Sequence, residues 1–168
     1  MVHSWHPGQR AAGREGTGAA PGRGTSGDIT VLVDENDLAQ ELVRLACLIA
    51  KRARCEVRLL HIIQVPRTLP LTATRTAASE LADRIITQAQ SVAAQTGCAA
   101  RAEIVQARDA ATAIVEEVRE QPCALLLIGL VRNRRRGSDQ LSELVPYILG
   151  HAPCRVWLIQ EAPTRELR

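Results

Sequence analysis

The residues best suited to chemistry follow two apolar runs. Asp34 comes after the β-branched run at residues 29–33, and Gly129 comes after the apolar run at residues 125–128. Such runs are typical of buried strands, while a glycine-containing loop that leads into a helix offers free backbone N–H groups to an anion. The two residues therefore predict a ligand site at the ends of two strands. Asp34 is also a common type of turn residue beside Asn36, and that structural interpretation stays open.

A basic loop follows Gly129. Arg132, Arg134, Arg135 and Arg136 place four positive charges on five residues. Guanidinium groups hold phosphate or carboxylate through paired hydrogen bonds, so the loop could bind a small anionic ligand by its side chains. Four like charges over so short a stretch are most often a solvated, self-repelling loop without a ligand, so both interpretations stay open.

No catalytic motif is present in the sequence. It lacks the G-x-S-x-G elbow, the G-x-x-x-x-G-K-[S/T] phosphate loop and the H-E-x-x-H zinc motif. His61 lies inside an apolar run and His151 ends a helical pattern, and no partner residue stands at a catalytic spacing from either. We therefore expect no enzymatic activity and a structural role for both histidines.

Five cysteines are scattered along the chain, at positions 47, 55, 98, 123 and 154. Their odd number and the absence of C-x-x-C spacing argue against a disulfide framework and against a zinc site, so no metal is expected. The pattern predicts a reducing, cytoplasmic environment. Cys154 follows Pro153 at a strand start, and we expect it to pack as a small hydrophobic residue.

Composition restricts the function further. The 168 residues fit one domain with an aliphatic core, because 46% are hydrophobic but only 2% are aromatic. The net charge is +3, of which residues 1–27 carry +2 (three Arg, one Glu), leaving 3 − 2 = +1 for the rest. So neutral a domain argues against nucleic-acid binding. No apolar run approaches eighteen residues, and no signal peptide is evident, so membrane insertion is not expected.

Strand and helix patterns alternate along the chain. Strands are predicted at residues 29–33, 56–65, 100–106, 125–128 and 155–160, the third of them at an edge of the sheet. Helical stripes occur at residues 38–49, 78–93, 110–118 and 141–149. Asp37, with Gln40 three residues later, predicts the first helix start, Gly97 predicts a left-handed helix end, and Asp109 predicts the third helix start. The alternation predicts an α/β fold with a doubly wound parallel sheet, and hence a ligand site between the first and fourth strands.

The C-terminal third resembles a known family. A Gly-ended apolar strand, a loop, a short helix and then His151-Ala152-Pro153-Cys154 before an apolar strand are similar to the universal stress protein signature. The resemblance extends over residues 29–160 and implies a five-stranded Rossmann-like sheet of order 3-2-1-4-5. It also implies that Asp34 contacts adenine and that the loop after the fourth strand wraps ribose and phosphates. The candidate ligand-binding residues are Asp34, Ile62, Ile128, Gly129, Arg132, Ser142 and Glu143.

The sequence departs from the family's nucleotide-binding motif. Nucleotide-binding members carry G-x2-G-x9-G-[S/T], and the corresponding positions here are Gly129, Arg132, Ser142 and Glu143. Arg132 and Ser142 narrow access to the backbone, while the carboxylate of Glu143 can satisfy the helix dipole that a phosphate would use. We therefore expect no bound cofactor and, at most, weak binding of ATP or another adenine nucleotide.

The resemblance also implies partners. The last strand, with Val156, Trp157, Leu158 and Ile159, is expected to pair with its copy in a homodimer. The segment at residues 61–71 resembles stress-protein domains fused to membrane transporters, which suggests a transporter partner. We divide the chain into a disordered Gly/Arg-rich tail (1–27), a stress-protein domain (28–161) and a short charged tail (162–168). The expected function is non-catalytic regulation in a stress response, with small-ligand sensing as the alternative.

Overall fold

The computed structural model describes residues 3–5, 27–68, 76–130 and 139–160. Strands and helices alternate through almost all of this part of the chain. The strands are β1 (His3–Trp5), β2 (Asp28–Leu32), β3 (Val57–Gln64), β4 (Ala100–Ala107), β5 (Cys123–Leu130) and β6 (Arg155–Gln160). The helices are α1 (Asp37–Ala53), α2 (Thr76–Gln95), α3 (Ala110–Glu120) and α4 (Asp139–His151).

Five of the strands form a parallel sheet in the order β4-β3-β2-β5-β6. This order is the predicted 3-2-1-4-5, so the doubly wound α/β fold is confirmed. One face carries a core cluster with residues of α1 and α2, and the other carries a cluster with residues of α3 and α4. Successive residues of the central strands serve opposite faces, as Leu59 and Leu60 do.

The short strand β1 was not expected. It pairs antiparallel with β4, with Ser4 opposite Val105. The prediction that residues 1–27 lack regular structure is therefore wrong for His3–Trp5, and β4 is not a free edge along residues 104–106. A strand of three residues shows too little periodicity to be recognised from the sequence. Its conformation depends instead on backbone pairing with β4. Residues 6–26 lie outside the described part.

The N-cap of helix α1 lies one residue earlier than predicted. Its N-cap is Asn36, whose backbone is extended and whose side-chain oxygen accepts a hydrogen bond from the Ala39 N–H at 2.8 Å. Asp37 is the first helical residue, where its carboxylate faces the positive end of the helix dipole. The assignment of the cap to Asp37 is corrected accordingly.

The predicted ends of α2 and α3 are confirmed. Gly97 has φ of +69°, and the N–H groups of Gly97 and Cys98 donate to the carbonyls of Ala94 and Ala93, as in a Schellman motif. At the start of α3, the Asp109 carboxylate accepts from the Thr112 N–H at 2.7 Å. That hydrogen bond is the main reason that the pKa of Asp109 lies below its ordinary value. Both helices thus begin or end where local chemistry dictates.

Across the four described segments, no helix is long and apolar enough to cross a membrane. Gln95 ends the longest helix, α2, whose stripe of buried residues faces the sheet.

Candidate functional site

Asp34 lies two residues beyond β2 and is exposed. One of its carboxylate oxygens accepts a hydrogen bond from the Glu35 N–H at 2.8 Å, and its carbonyl accepts from the Asn36 N–H at 2.8 Å. These contacts make Asp34 a turn residue that sets the chain direction before α1.

Gly129 lies inside β5, where it pairs with Ile159 of β6. A Cβ atom at this position would lie 2.9 Å from Leu42 Cδ1 and 3.1 Å from Leu38 Cδ2. Both leucines are buried residues of α1. Gly129 therefore allows α1 to pack closely on the sheet, a role that needs no ligand.

The other candidate residues are spread over different environments. Ile128 is 1% exposed within the α3/α4 core cluster, and Ile62 is half-buried against the same cluster. Ser142 and Glu143 are the fourth and fifth residues of α4, and their side chains lie outside the described structure. Arg132 and the rest of the basic loop also lie outside it. Asp34 follows β2 and Gly129 lies in β5, and these two strands are neighbours in the sheet.

A cleft of about 280 Å³ opens beside Asp34. It lies between the turn after β2, the first turn of α1 and the middle of α2, and its lining includes Asn36, Arg84 and Gln88. Gly129 is not part of its lining. The sequence did not point to Arg84, because an arginine on the polar face of a helix carries no local signal of function.

Both histidines have structural partners. His61 is buried in β3 and its Nδ1 lies 2.8 Å from the Val33 carbonyl, so that nitrogen carries the proton and donates. The Nδ1 of His151 donates to the Tyr147 carbonyl at 2.8 Å, and the two rings stack. Within the described segments, no group of three or more His, Cys, Asp or Glu side chains is arranged to hold a metal ion.

Strand β6 lies at the edge of the sheet opposite β1. It pairs with β5 on one side, and no other described strand lies along its second side. Trp157 is 48% exposed, whereas Val156 and Leu158 pack on the α3/α4 cluster and Ile159 packs on the α1/α2 cluster. The four predicted interface residues therefore form one edge strand, with Trp157 as its exposed aromatic side chain.

Sequence reasoning missed a buried charge cluster on the α3 side of the sheet. The Arg58 side chain is 1% exposed, and its Nε donates to Thr30 Oγ1 at 3.2 Å. Its Nη2 donates to the carbonyls of Gln121 and Glu117 at 3.3 and 3.5 Å. An arginine between apolar residues of a strand resembles an exposed position in the sequence, and only the packing of α3 shows that Arg58 is covered.

Two carboxylates accompany this arginine. Arg58 Nη1 lies 3.6 Å from Glu103 Oε2 and 3.9 Å from Glu117 Oε2, and it makes no hydrogen bond to the described residues. Burial, together with the negative charge of Glu103, raises the pKa of Glu117 to about 7, although Arg58 opposes the shift. A buried ion pair at such distances stabilises little by itself, because desolvation offsets the Coulomb attraction.

Comparison with known proteins agrees with the fold. The sequence profile of the universal stress protein family matches residues 26–160. No curated protein matches the chain. Among solved structures, the chain is similar to the universal stress protein from Archaeoglobus fulgidus, with 19% identity and a TM-score of 0.64 over 79% of this chain and 92% of that one.

Two further structures were determined with nucleotides. The Archaeoglobus fulgidus universal stress protein in complex with dAMP has 20% identity and a TM-score of 0.64, over 80% of this chain and 98% of that one. A universal stress protein in complex with cAMP has 16% identity and a TM-score of 0.62, over 80% and 97%. These likenesses show the fold, and the match to the family profile over residues 26–160 shows the membership. The chain belongs to the universal stress protein family.

Proposed function

We propose that this protein is a non-catalytic regulatory domain of the stress response, which acts as a homodimer and does not hold ATP. The observation that carries the proposal is the glycine motif: of its positions, only Gly129 keeps the family's residue, while Arg132, Ser142 and Glu143 replace the rest. The close packing of Leu38 and Leu42 on Gly129 explains why that glycine remains.

The replacement of the motif's glycines weakens phosphate binding directly. Backbone N–H groups cradle a phosphate only where no side chain keeps it at a distance, and glycine is the residue that permits this approach. Glu143 replaces the last residue of the motif, and its negative charge disfavours a phosphate at that position. A triphosphate would therefore lose both its backbone contacts and part of its electrostatic attraction.

The nucleotide content of the purified protein tests this proposal. Protein prepared without added nucleotide is denatured by heat, and the released small molecules are separated by chromatography and identified by mass. We expect no stoichiometric ATP and no release of phosphate when ATP is added to the native protein. ATP at one molecule per chain, or steady hydrolysis that copurifies with the protein, would contradict the proposal.

A second candidate function is the sensing of a small anionic ligand. Two related folds were solved with dAMP and cAMP, and here the exposed Asp34 borders a cleft of about 280 Å³ that also contains Arg84. A nucleotide with one phosphate needs fewer backbone contacts than ATP does. The Arg132 loop would add side-chain contacts to the phosphate.

Calorimetry separates the two candidates. AMP, ATP and cyclic dinucleotides are titrated into the wild type, into Arg132→Ala and into Arg84→Ala. Micromolar binding of any of them that is lost in Arg132→Ala would support the sensor and overturn the ligand-free proposal. Ligand binding that is unchanged in Arg132→Ala but lost in Arg84→Ala would instead place the ligand in the cleft between α1 and α2.

A membrane transporter as partner is a further proposal. It rests on the resemblance of residues 61–71 alone, of which residues 61–64 belong to β3. A transporter gene beside the gene for this protein, together with co-purification of the two products, would support it. The cytoplasmic location inferred from the cysteine pattern also stays a prediction.

A further inference from the structure

Two cysteines that are distant in sequence meet at one edge of the sheet. Cys123 opens β5, and Cys154 precedes the first residue of β6. Because β5 and β6 are parallel neighbours, both residues lie at the N-terminal edge of the sheet, opposite the edge followed by Asp34. Their Sγ atoms are 3.4 Å apart, and all five cysteines are free thiols. A disulfide has its sulfurs about 2.0 Å apart, so a small movement of two side chains would be enough to form one.

The surroundings of Cys123 favour its thiolate. Thr30 accepts a hydrogen bond from the buried guanidinium of Arg58 and can donate its own proton to the Cys123 sulfur. The contact with Cys154, the Thr30 hydroxyl and the charge of Arg58 together lower the pKa of Cys123 to about 6, against the effect of burial. The same contact with Cys123 raises the pKa of Cys154, so the shared proton rests on Cys154.

We propose that Cys123 and Cys154 form a reversible oxidation site, at which a hydroperoxide converts the two thiols into one intramolecular disulfide. Cys123 is the attacking residue and Cys154 the resolving residue. Both side chains are half-buried, so the site admits a small peroxide more readily than a bulky thiol. The proposal does not depend on nucleotide binding, because neither cysteine borders the cleft at Asp34.

The chemistry balances in two steps. The Cys123 thiolate attacks one peroxide oxygen, so that an S–O bond forms, the O–O bond breaks, and the alcohol or water leaves after taking up a proton. Cys154 then loses its proton and attacks the sulfur of the sulfenic acid, so that an S–S bond forms, the S–O bond breaks and water leaves. Two thiols are oxidised by two electrons, and one hydroperoxide is reduced. A dithiol reductant reverses the result by exchange.

The other three cysteines provide an internal comparison. Cys47 is fully buried between the sheet and its helices, and burial raises its pKa to about 12. Burial also raises the pKa of Cys55. These residues lie in or against the α1/α2 core, on the face of the sheet opposite the Arg58 cluster. A general sensitivity of the chain to oxidation would affect them as well, whereas a dedicated site would not.

Peptide mapping of the full-length protein tests the proposal. The reduced wild type is exposed to one equivalent of hydrogen peroxide at pH 7, free thiols are alkylated in denaturant, and the digest is analysed by mass spectrometry. We expect the loss of two of the five thiols, a linked pair of peptides that contain Cys123 and Cys154, and recovery of both thiols after dithiothreitol. The pair should oxidise at least about fivefold faster than Cys47 or Cys98.

Variants assign the two roles. In Cys154→Ser, oxidation should stop at a sulfenic acid on Cys123, which dimedone traps. In Cys123→Ser, the four remaining thiols should stay reduced at one equivalent of hydrogen peroxide. Cys98→Ser is the matched control and should oxidise like the wild type. Peptide mapping of the wild type tests the proposal even if a variant fails to fold. Random loss over all five cysteines, or linkage only between different chains, would overturn the proposal.

The pH dependence adds a readout that simple proximity would not produce. The groups that face Cys123 are Cys154 before β6, Thr30 on β2 and Arg58 on β3, and Arg58 in turn faces Glu103 on β4 and Glu117 on α3. The oxidation rate should reach half of its plateau near pH 6. In Glu103→Gln, which removes the carboxylate 3.6 Å from Arg58 Nη1, the midpoint should move to lower pH. Glu117→Gln should leave the midpoint nearly unchanged, because Glu117 is already largely protonated near pH 6. A rate that rises only above pH 8 would contradict the role of Arg58.

Discussion

Glu117 couples the stability of the protein to pH. Its folded-state pKa is about 7 against an ordinary 4.5, because burial and Glu103 disfavour its charge more than Arg58 favours it. Between pH 4.5 and 7 the folded state holds a proton that the unfolded state has lost, so stability falls as pH rises through this window and is level above it. The shift corresponds to about 3 kcal/mol for the whole window.

Urea unfolding of the wild type and Glu117→Gln at pH 5 and pH 8 measures this effect. The amide resembles the protonated acid and does not titrate, so the variant should gain about 2 to 3 kcal/mol relative to the wild type between the two pH values. Other titrating groups such as Asp109 cancel in the difference. If the difference in unfolding free energy between the variant and the wild type is the same at pH 5 and pH 8, the pKa of Glu117 is not raised in the folded state.

Gly129 provides a second prediction at the residue scale. Alanine at this position would press on Leu38 and Leu42, whose side chains are packed in the core, so Gly129→Ala should destabilise the protein by about 1 kcal/mol. Gly150→Ala in α4 is the matched control, since an added Cβ would meet no described residue beyond its own stretch of helix within 4 Å, and it should be neutral or stabilising. Thermal unfolding compares the two. Equal and negligible changes in stability for the two variants would show that α1 can move to accommodate a Cβ at position 129.

At the element scale, the start of α1 distinguishes two adjacent residues. Asn36→Ala removes the side-chain oxygen that accepts from the Ala39 N–H and should cost about 1 kcal/mol. Asp37→Ala removes only a charge near the helix dipole and should cost about 0.3 to 0.5 kcal/mol. Denaturant unfolding of the two single variants decides between them. A larger loss for Asp37→Ala would restore the capping role that the sequence pattern suggested.

The helices and the parallel strands could be predicted because their signals are local. The stripe at residues 78–93, the left-handed Gly97 and the cap at Asp109 each depend on neighbours within a few residues. The cap of α1 was misplaced by one position because Asn36 and Asp37 are both good N-cap residues. Only the backbone conformation of Asn36 distinguishes them.

The features that were missed depend on distant contacts. Cys123 and Cys154 are separated by a loop and a helix, and their meeting follows from the register of β5 with β6. Arg58 is buried because α3 covers its strand, a fact that the pattern of β3 does not contain. For the candidate site, the sequence correctly predicted that the strand before Asp34 neighbours the strand of Gly129, but it assigned no packing role to Gly129.

At the scale of the whole molecule, β6 predicts a dimer. An apolar edge strand with an exposed Trp157 favours aggregation unless a partner covers it, and antiparallel pairing with its own copy satisfies the free backbone groups of both chains. Light scattering should give about twice the chain mass of 18.2 kDa. Ile159→Pro, which removes a backbone donor, should shift the protein to monomer or aggregate, whereas Gln64→Ala on interior strand β3 should not. A wild type that is monomeric at high micromolar concentration would leave the edge without a partner.

The most direct test of the proposed function is a paired titration with ATP. The wild type is compared by calorimetry with the triple variant Arg132→Gly, Ser142→Gly, Glu143→Ser, which restores the family's glycine motif. If the substitutions have abolished the phosphate cradle, the wild type should bind ATP weakly or not at all, and the restored variant should bind at least about tenfold more tightly, a gain of about 1.4 kcal/mol. Micromolar binding of ATP by the wild type, unchanged in the restored variant, would contradict the proposal that this family member works without ATP.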